Sequence, residues 1–397
     1  MATFVFENMT QAQANAITSG DIIAVSTPAA SAGNIGVSIS AATDTIQNTT
    51  LTVGSKSLFF DASALSSIAE AGNIVFNDGS SLDVGLNTGT TDATGSSVAY
   101  LFAGADTYTG AAAGSTIYGA EGDDTITAGA GPSNLFGGAG ADSLVGGAGN
   151  DHLYGQSASG GTDGADSIAA GDGADYVNGN KGADTIDGEA GSDRLLGGAD
   201  NDSISGSAGN DSVNGNLGND TINGGDDDDF LRGGQGNDVV SGGNGNDILL
   251  GDLGADTLDG NTGVDFLTGG AGNDVFLFTA GEGNIGVGST TKSYDTIIDF
   301  VDGEDTIDLG DFGDAAASAE INIGSSGATF TTVSAAKDYA QQLLDANTQA
   351  NDIAIVKVGG DSYIFYASTG ANLDTIDTVI KIQGVTDTSL FTSADFV

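Results

Sequence analysis

The stretch GGQGNDVVSGGNGNDILL, residues 233–250, contains one nine-residue pattern twice. Each copy opens with two glycines, has an aspartate at its sixth position and has an aliphatic residue at its eighth. The same frame continues without interruption from Gly161 to Leu277, through 13 nonads. Position 6 is Asp in all 13, and position 8 is Ile, Val, Leu or Phe in all 13. Because only 39% of the chain is hydrophobic, chance does not produce this pattern.

An earlier block, residues 119–154, contains four nonads in the same phase. Its second nonad has Ser133 where the others have aspartate. Residues 101–118 look like two degraded copies, which we expect to cap the stack of repeats. The insert GQSASG, residues 155–160, separates the two blocks and is predicted to be a surface loop.

The nonad resembles the G-G-x-G-x-D-x-U-x calcium-binding repeat of RTX proteins, and the resemblance extends over residues 101–277. It implies an all-β fold, namely a parallel β-roll in which two nonads form one turn of a calcium-stacked solenoid. Each GGxGxD half would form a tight turn, and each xUx half would form a short strand with its U side chain inward. Glycine suits such turns because it adopts positive φ angles without steric cost.

A single inward side chain per nonad makes a thin core. Its burial contributes about 2 kcal/mol, whereas ordering nine residues costs ~1 kcal/mol or more for each residue. Stacked position-6 aspartates would also repel one another along two edges of the roll. Ca²⁺ between successive turns offsets both costs, because it accepts mixed carboxylate and carbonyl oxygens more readily than Mg²⁺ does. We therefore expect the repeats to be disordered without calcium and folded with it. A flexible acidic spacer, the alternative, has no reason to keep position 8 apolar.

The resemblance predicts multiple Ca²⁺ sites, with ligands from the position-6 carboxylates and from the backbone at position 1. The predicted aspartates are Asp124, Asp142, Asp151, Asp166, Asp175, Asp184, Asp193, Asp202, Asp211, Asp220, Asp229, Asp238, Asp247, Asp256, Asp265 and Asp274. The predicted glycines are Gly137, Gly146, Gly179, Gly188, Gly197, Gly206, Gly215, Gly224, Gly233, Gly242, Gly251, Gly260 and Gly269.

The nonad GGDDDDFLR, residues 224–232, contains four adjacent aspartates that the frame separates. Asp229 is at position 6 and is the predicted calcium ligand. Asp227 replaces the turn glycine at position 4, as Asp200 does in another nonad. Aspartate tolerates left-handed backbone better than most residues, so the turn is expected to survive. Asp226 and Asp228 fall at variable positions and are expected to be hydrated.

The chain is predicted to have three domains: residues 1–100, the β-roll over 101–278, and residues 279–397. The first is predicted to be β-rich, with a short helix over 10–18 and strands within DIIAVST, VGSKSLFF and GNIVFNDGSSLDVGL. The last is also predicted to be β-rich. It contains an amphipathic helix with Tyr339, Ala340, Leu343 and Leu344 inward, followed by the hairpin NDIAIVKV–GGD–SYIFYAS. Its end, Asp395–Phe396–Val397, resembles the uncleaved C-terminal signal of type I secretion.

Composition and motifs argue against several classes of function. The chain has 55 acidic and 8 basic residues and a net charge of −47, so nucleic acid and anionic membranes are poor partners. It has no cysteine and no run of 18 apolar residues, and residues 1–13 lack the basic and apolar regions expected of a Sec-type signal. A single histidine, His152, makes H-E-x-x-H impossible, and G-x-S-x-G does not occur. His152 is expected to be a solvated side chain, and the protein is predicted not to be an enzyme.

The leading interpretation is a secreted structural protein on the surface of a Gram-negative bacterium. Its small polar composition, few lysines and lack of disulfides are similar to those of surface-layer (S-layer) proteins that leave the cell by type I secretion. The expected partners are calcium ions and copies of the same chain, with cell-surface polysaccharide or lipopolysaccharide as a further candidate. The alternative is a monomeric calcium-dependent adhesin or biofilm-matrix protein.

Overall fold

The chain forms two compact units, Met1–Ile186 and Asp187–Val397. The computed structural model describes residues 98–101, 104–110, 113–156, 163–278, 294–309, 352–367 and 378–385, the strands before residue 98, residues 321–323, and single residues between 330 and 396. The described secondary structure is β-strand, except that Val333, Ala336, Tyr339 and Ala340 are helical. In this part of the chain no helix is long and apolar enough to cross a membrane. The predicted all-β class is confirmed.

Before the repeats of the first unit, the described residues form seven strands. They are β1 (Thr3–Val5), β2 (Ile22–Val25), β3 (Ile35–Ser40), β4 (Asn48–Val53), β5 (Lys56–Asp61), β6 (Ile74–Phe76) and β7 (Leu82–Val84). Strands β1, β2 and β6 pair in parallel, whereas β3, β4 and β5 form an antiparallel meander. Strands β2, β6 and β7 lie within the segments predicted as strands, and β5 does so except for its last residue, Asp61. The helix predicted over 10–18 lies outside the described residues.

The repeats of the first unit form a two-sheet parallel roll. Its strands are β8 (Val98–Tyr100), β9 (Thr107–Thr109), β10 (Thr116–Glu121), β11 (Thr125–Thr127), β12 (Asn134–Ala139), β13 (Ser143–Val145), β14 (His152–Gln156), β15 (Ser167–Asp172) and β16 (Tyr176–Lys181). One sheet has the order β7-β8-β10-β12-β14-β16 and the other β9-β11-β13-β15. Ile117 pairs with Leu135, and Leu135 with Leu153, so partners lie 18 residues apart. Two nonads therefore form one turn, as predicted.

Strand β17 (Thr185–Ala190) contains the boundary between the units. The second unit continues with β18 (Arg194–Ala199), β19 (Ser203–Ala208), β20 (Ser212–Leu217), β21 (Thr221–Asp226), β22 (Phe230–Gln235), β23 (Val239–Gly245), β24 (Ile248–Leu253), β25 (Thr257–Gly263), β26 (Phe266–Ala271), β27 (Val275–Leu277), β28 (Asp295–Ile297) and β29 (Thr306–Asp308). Even-numbered strands form one parallel sheet of the roll and odd-numbered strands the other.

The ladders of the second unit continue past the last nonad. Strand β28 pairs in parallel with β26, and β29 pairs in parallel with β27. The final strands are β30 (Ile321–Ile323), β31 (Asp352–Val358), β32 (Asp361–Ala367) and β33 (Thr378–Ile382), and β33 pairs with β28. Both sheets of this roll thus incorporate strands from residues 279–397. The three-domain division stays a prediction.

The predicted C-terminal hairpin is confirmed, because β31 and β32 pair antiparallel along their whole length. The four helical residues lie within the predicted helix. Among them, Ala336 and Ala340 are fully buried in a cluster that includes Phe365. Leu343 and Leu344 lie outside the described residues.

The core of each roll is the column of position-8 side chains, none of them more than 2% exposed. In the first unit these are Ile126, Leu135, Leu144, Leu153, Ile168, Val177 and Ile186. In the second they are Leu195, Ile204, Val213, Ile222, Leu231, Val240, Leu249, Leu258, Leu267 and Phe276. One apolar side chain per nonad is therefore inward, and this thin core positions the aspartate two residues before it.

Candidate calcium sites

The turns that hold the aspartates depend on left-handed backbone at nonad position 4. Most position-4 residues are glycines with positive φ, such as Gly218 at 138°. Asp227 and Asp200 stand in for glycine there, with φ of 77° and 79°. Both values lie in the left-handed region, which aspartate enters more readily than most residues. The predicted substitution of turn glycine by aspartate is confirmed.

The position-6 aspartates form two rows along the edges of the roll. In the second unit the Asp229 N–H donates to Asp247 Oδ1 at 2.8 Å, and the Asp247 N–H donates to Asp265 Oδ1 at 2.8 Å. On the other edge the Asp220 N–H donates to Asp238 Oδ1 at 2.8 Å. The first unit repeats the pattern, for example from Asp124 to Asp142. Each carboxylate therefore uses one oxygen to tie its turn to the next.

The second carboxylate oxygen of many of these aspartates is buried without a hydrogen-bond partner. This holds for Oδ2 of Asp124, Asp142, Asp151, Asp166, Asp211, Asp220, Asp229, Asp238, Asp247, Asp256 and Asp265. A buried unpartnered carboxylate oxygen is costly, since it has lost its water without replacement. Repeated along two rows, the cost indicates that these atoms have a ligand.

The glycine at position 1 leaves room beside that oxygen. A methyl group built on Gly224 would clash with Asp229 Oδ2 and with the carbonyl oxygen of Gly242, one turn further on. Gly206 has the same relation to Asp211 and to the Gly224 carbonyl. Carboxylate and carbonyl oxygens thus converge on a space that only glycine keeps open. This donor set suits Ca²⁺, and the residues present fit the ion.

Burial changes the acidity of the rows. Loss of solvent, together with the charge of neighbouring aspartates, raises the pKa of Asp124 and Asp166 to about 8. The same causes raise the pKa of Asp229 to about 7. Within the described residues, no group of three or more acidic or histidine side chains converges on a metal position. Each site would therefore hold its ion through at most two carboxylates, together with backbone carbonyls.

The structure places the predicted site residues as the frame requires. All 16 predicted aspartates are buried, with at most 3% exposure. At the 12 predicted glycines other than Gly179, an added methyl group would clash with the Oδ2 atom of the aspartate in the same nonad. Asp228, expected to be hydrated, is on the surface and accepts hydrogen bonds from Asn246. His152, expected to be solvated, is exposed and makes an edge contact with Tyr176.

Sequence reasoning missed several members of the rows. Asp295 Oδ1 accepts the Asp265 N–H at 3.0 Å, and Asp305 Oδ1 accepts the Asp274 N–H at 3.1 Å. At the other end the Asp106 N–H donates to Asp124 Oδ1 at 2.8 Å. Their signal was the pair Asp-Thr followed by Tyr or Ile, without glycines at the first two positions of the frame. Gly155, assigned to the loop insert, ends up in strand β14 and faces Asp166 as a position-1 glycine.

One edge of the first unit departs from the pattern. Ser115 and Ser133 occupy the position of the aspartates, and the Ser115 N–H donates to Ser133 Oγ at 3.1 Å. The Ser133 N–H then donates to Asp151 Oδ1 at 2.6 Å. At the step from Ser115 to Ser133, a hydroxyl therefore replaces the carboxylate as the acceptor that ties one turn to the next.

Comparisons with known proteins agree with this geometry. Residues 100–158 and 160–284 match the RTX calcium-binding nonapeptide repeat in seven partly overlapping segments. These residues therefore form RTX calcium-binding repeats, and such repeats imply Ca²⁺ binding. No curated protein matches the chain. Among solved structures, it is similar to the AlgE6R3 subunit of the Azotobacter vinelandii mannuronan C5-epimerase. That match has 24% identity and a TM-score of 0.28, and it covers 44% of this chain and 80% of the other.

Proposed function

We propose that this calcium-binding repeat protein is an extracellular structural protein that folds on calcium binding and assembles into a surface layer. The observation that carries the proposal is the pair of buried aspartate rows, whose Oδ2 atoms lie beside carbonyl oxygens. Without a cation the rows are a concentration of desolvated charge, so the roll is expected to form only where calcium is plentiful. Calcium is scarce in the cytosol, which favours folding after export.

The C-terminal residues support an export route through type I secretion. The Ile307 N–H donates to the Asp395 carbonyl oxygen at 2.7 Å, and Phe396 packs against Phe391 with ring centroids 6.3 Å apart. In the folded protein this end is therefore held against the roll. A terminal signal would be accessible only before folding, when the repeats are free of calcium and can be threaded through a channel.

An assembly role is favoured over catalysis. The chain offers one histidine, on the roll surface, and no cysteine. The most perturbed carboxylates lie in repeated rows and are assigned to calcium, so they do not form a distinct acid–base pair in a cleft.

A second candidate function is adhesion to a glycan. An open groove of about 540 Å³ on the odd-numbered sheet of the second unit is lined by small polar side chains, including Ser205, Ser207, Asn223 and Asn261. Hydroxyl and amide groups suit a neutral polysaccharide. This observation favours the monomeric adhesin as the alternative.

Two experiments test the proposal. Circular dichroism during EGTA titration should show loss of β-structure and its recovery on adding excess calcium; spectra unchanged by chelation would contradict it. Electron microscopy of purified protein with calcium should show an ordered lattice. Dispersed monomers at high concentration that bind polysaccharide would favour the adhesin.

Export is tested in the producing cell. A chain lacking the last 60 or so residues should accumulate inside, while the full-length protein appears outside. Normal export of the truncated chain would contradict type I secretion.

A further inference from the structure

The two sheets of the second unit present different outer faces. On the even-numbered sheet, position 7 carries Phe230, Ile248 and Phe266 on the neighbouring strands β22, β24 and β26, in direct register. These side chains are 43%, 42% and 44% exposed. On the odd-numbered sheet the corresponding residues of β21, β23 and β25 are Thr221, Val239 and Thr257, so one apolar side chain stands between two threonines. We call Phe230, Ile248 and Phe266 the apolar stripe.

Acidic side chains are sparse around the apolar stripe. At positions 7 and 9 of strands β18, β20, β22, β24 and β26 there is no acidic residue. Both arginines of the chain, Arg194 and Arg232, occur there. The Arg232 guanidinium is paired with the Asp252 carboxylate at the strand end. In a chain of net charge −47, this face is therefore apolar and close to neutral.

The negative charge of the chain bears on which partner can bind the apolar stripe. The acidic residues of the roll are concentrated at its turns, so most approaches between two copies bring like charges together. Two even-numbered sheets can meet face to face with their acidic turns kept apart. A second copy also offers an identical stripe, and identical patches can form a self-complementary, two-fold contact.

The size of the stripe sets the strength of the contact. Three strands about 4.8 Å apart, with outward side chains roughly 7 Å apart along each strand, give the stripe an area of roughly 100 Å² on each copy. A stable dimer usually buries about 800 Å² on each partner. One such contact is therefore weak, and it becomes effective when it is repeated in an assembly.

We propose that the apolar stripe is a contact surface for a second copy of this chain. The inference rests on the proposed assembly function and assigns one of its contacts. The surface exists only when the roll is folded, so the association is calcium-dependent.

The test compares a stripe variant with a matched control. The stripe variant combines Phe230→Thr, Ile248→Thr and Phe266→Thr. It places at position 7 the residue that the opposite sheet has at Thr221 and Thr257. Val239→Thr is the control, because Val239 is 48% exposed on that opposite sheet. Sedimentation velocity with calcium should show at least about tenfold weaker association for the triple variant and no change for the control.

Cysteine cross-linking gives a readout that does not depend on how the triple variant folds. The chain has no cysteine, so Ile248→Cys and Val239→Cys each introduce a single thiol. With calcium and a mild oxidant, Ile248→Cys should form disulfide-linked dimers, whereas Val239→Cys and EGTA-treated Ile248→Cys should not. Cross-linking of both variants to the same extent would overturn the proposal.

The outcomes also separate this inference from the assembly function. If the wild-type protein assembles with calcium but neither the triple variant nor Ile248→Cys differs from its control, the stripe is not the contact and assembly stands. If the wild-type protein stays monomeric, both fail. Stripe-dependent binding of glycan or lipid vesicles by a monomeric protein would likewise overturn the proposal.

Discussion

The two units achieve the same roll with different edge chemistry. In the second unit an aspartate stands at the edge before each strand from β18 to β27, whereas one edge of the first unit has Ser115 and Ser133 before β10 and β12. The outer face of those same strands carries stacked rings. Tyr118 and Phe136 have centroids 5.0 Å apart, as do Phe136 and Tyr154, with planes within 6° of parallel.

This difference suggests two ways to hold a thin solenoid. Where carboxylates line both edges, a cation must offset their repulsion and desolvation. Where serine replaces aspartate, there is less charge to offset, and stacked rings supply contacts worth about 0.5–1.5 kcal/mol for each pair. We therefore expect calcium dependence to be strongest in the second unit and weaker around β10 and β12.

Acidification of the calcium-free protein should have the largest effect on folding, because it protonates aspartates along both rows at once. Burial raises the pKa of Asp256 to about 7 and of Asp265 to about 8, against an ordinary value of 3.8. A raised folded-state pKa stabilises the fold fully below the ordinary value of 3.8, and that stability is lost as pH rises through the folded-state values of about 7 and 8. In EGTA, circular dichroism should show more β-structure at pH 5 than at pH 8.

With calcium present, the dependence of folding on pH should reverse, since the ion binds carboxylates in their deprotonated form. The calcium concentration at the folding midpoint should then rise as pH falls. A calcium-free protein equally unfolded at both pH values would contradict the assigned pKa shifts. Ser115 and Ser133 do not titrate in this range, so the edge that contains them should contribute least to the pH dependence of folding.

Loss of a single row carboxylate should have the next largest effect. Asp229→Ala removes the acceptor of the Asp211 N–H, a 2.8 Å hydrogen bond, together with the predicted calcium ligand. A hydrogen bond to a charged group contributes about 1.5–3 kcal/mol, so the calcium midpoint should rise roughly tenfold or more. Asp228→Ala, one residue away on the surface, is the matched control and should shift the midpoint far less. Calcium titration by circular dichroism distinguishes them.

Removing the central ring of the stack tests the first unit. Phe136→Ala abolishes both 5.0 Å ring contacts and should cost about 1–3 kcal/mol. The loss should appear as faster amide exchange in strands β10, β12 and β14, with exchange in β20–β26 unchanged. Equal acceleration in both units would show that the rings have no local role.

The smallest effect is expected at a strained turn. Asp227 has φ of 77°, and left-handed backbone costs an L-residue about 1–2 kcal/mol, less for aspartate. Asp227→Gly should therefore lower the calcium midpoint slightly or leave it unchanged, and Asp227→Ala should raise it. Losses of equal size from Asp227→Gly and Asp229→Ala would show that the nonad phase is wrong.

The sequence was most informative where glycine, aspartate and an apolar residue recur together. That recurrence predicted the inward column, from Ile168 to Phe276, and the two rows, because a period of nine fixes which side chains align when two nonads form a turn. Asp106, Asp295 and Asp305 were not predicted as members of the rows, because the glycines that mark the frame are absent or irregular around them. The ring stack depends on a spacing of 18 between Tyr118, Phe136 and Tyr154, which becomes a contact only once alternate nonads share a sheet.

The most direct test of calcium-dependent folding is hydrogen–deuterium exchange across a calcium titration, followed in the same sample for both units. Amides of strands β20–β26 should exchange freely in EGTA and become protected together as calcium is added. Those of β10 and β12 should become protected at a lower calcium concentration. Protection of β20–β26 that is the same with and without calcium would contradict the central claim that the ion completes the fold.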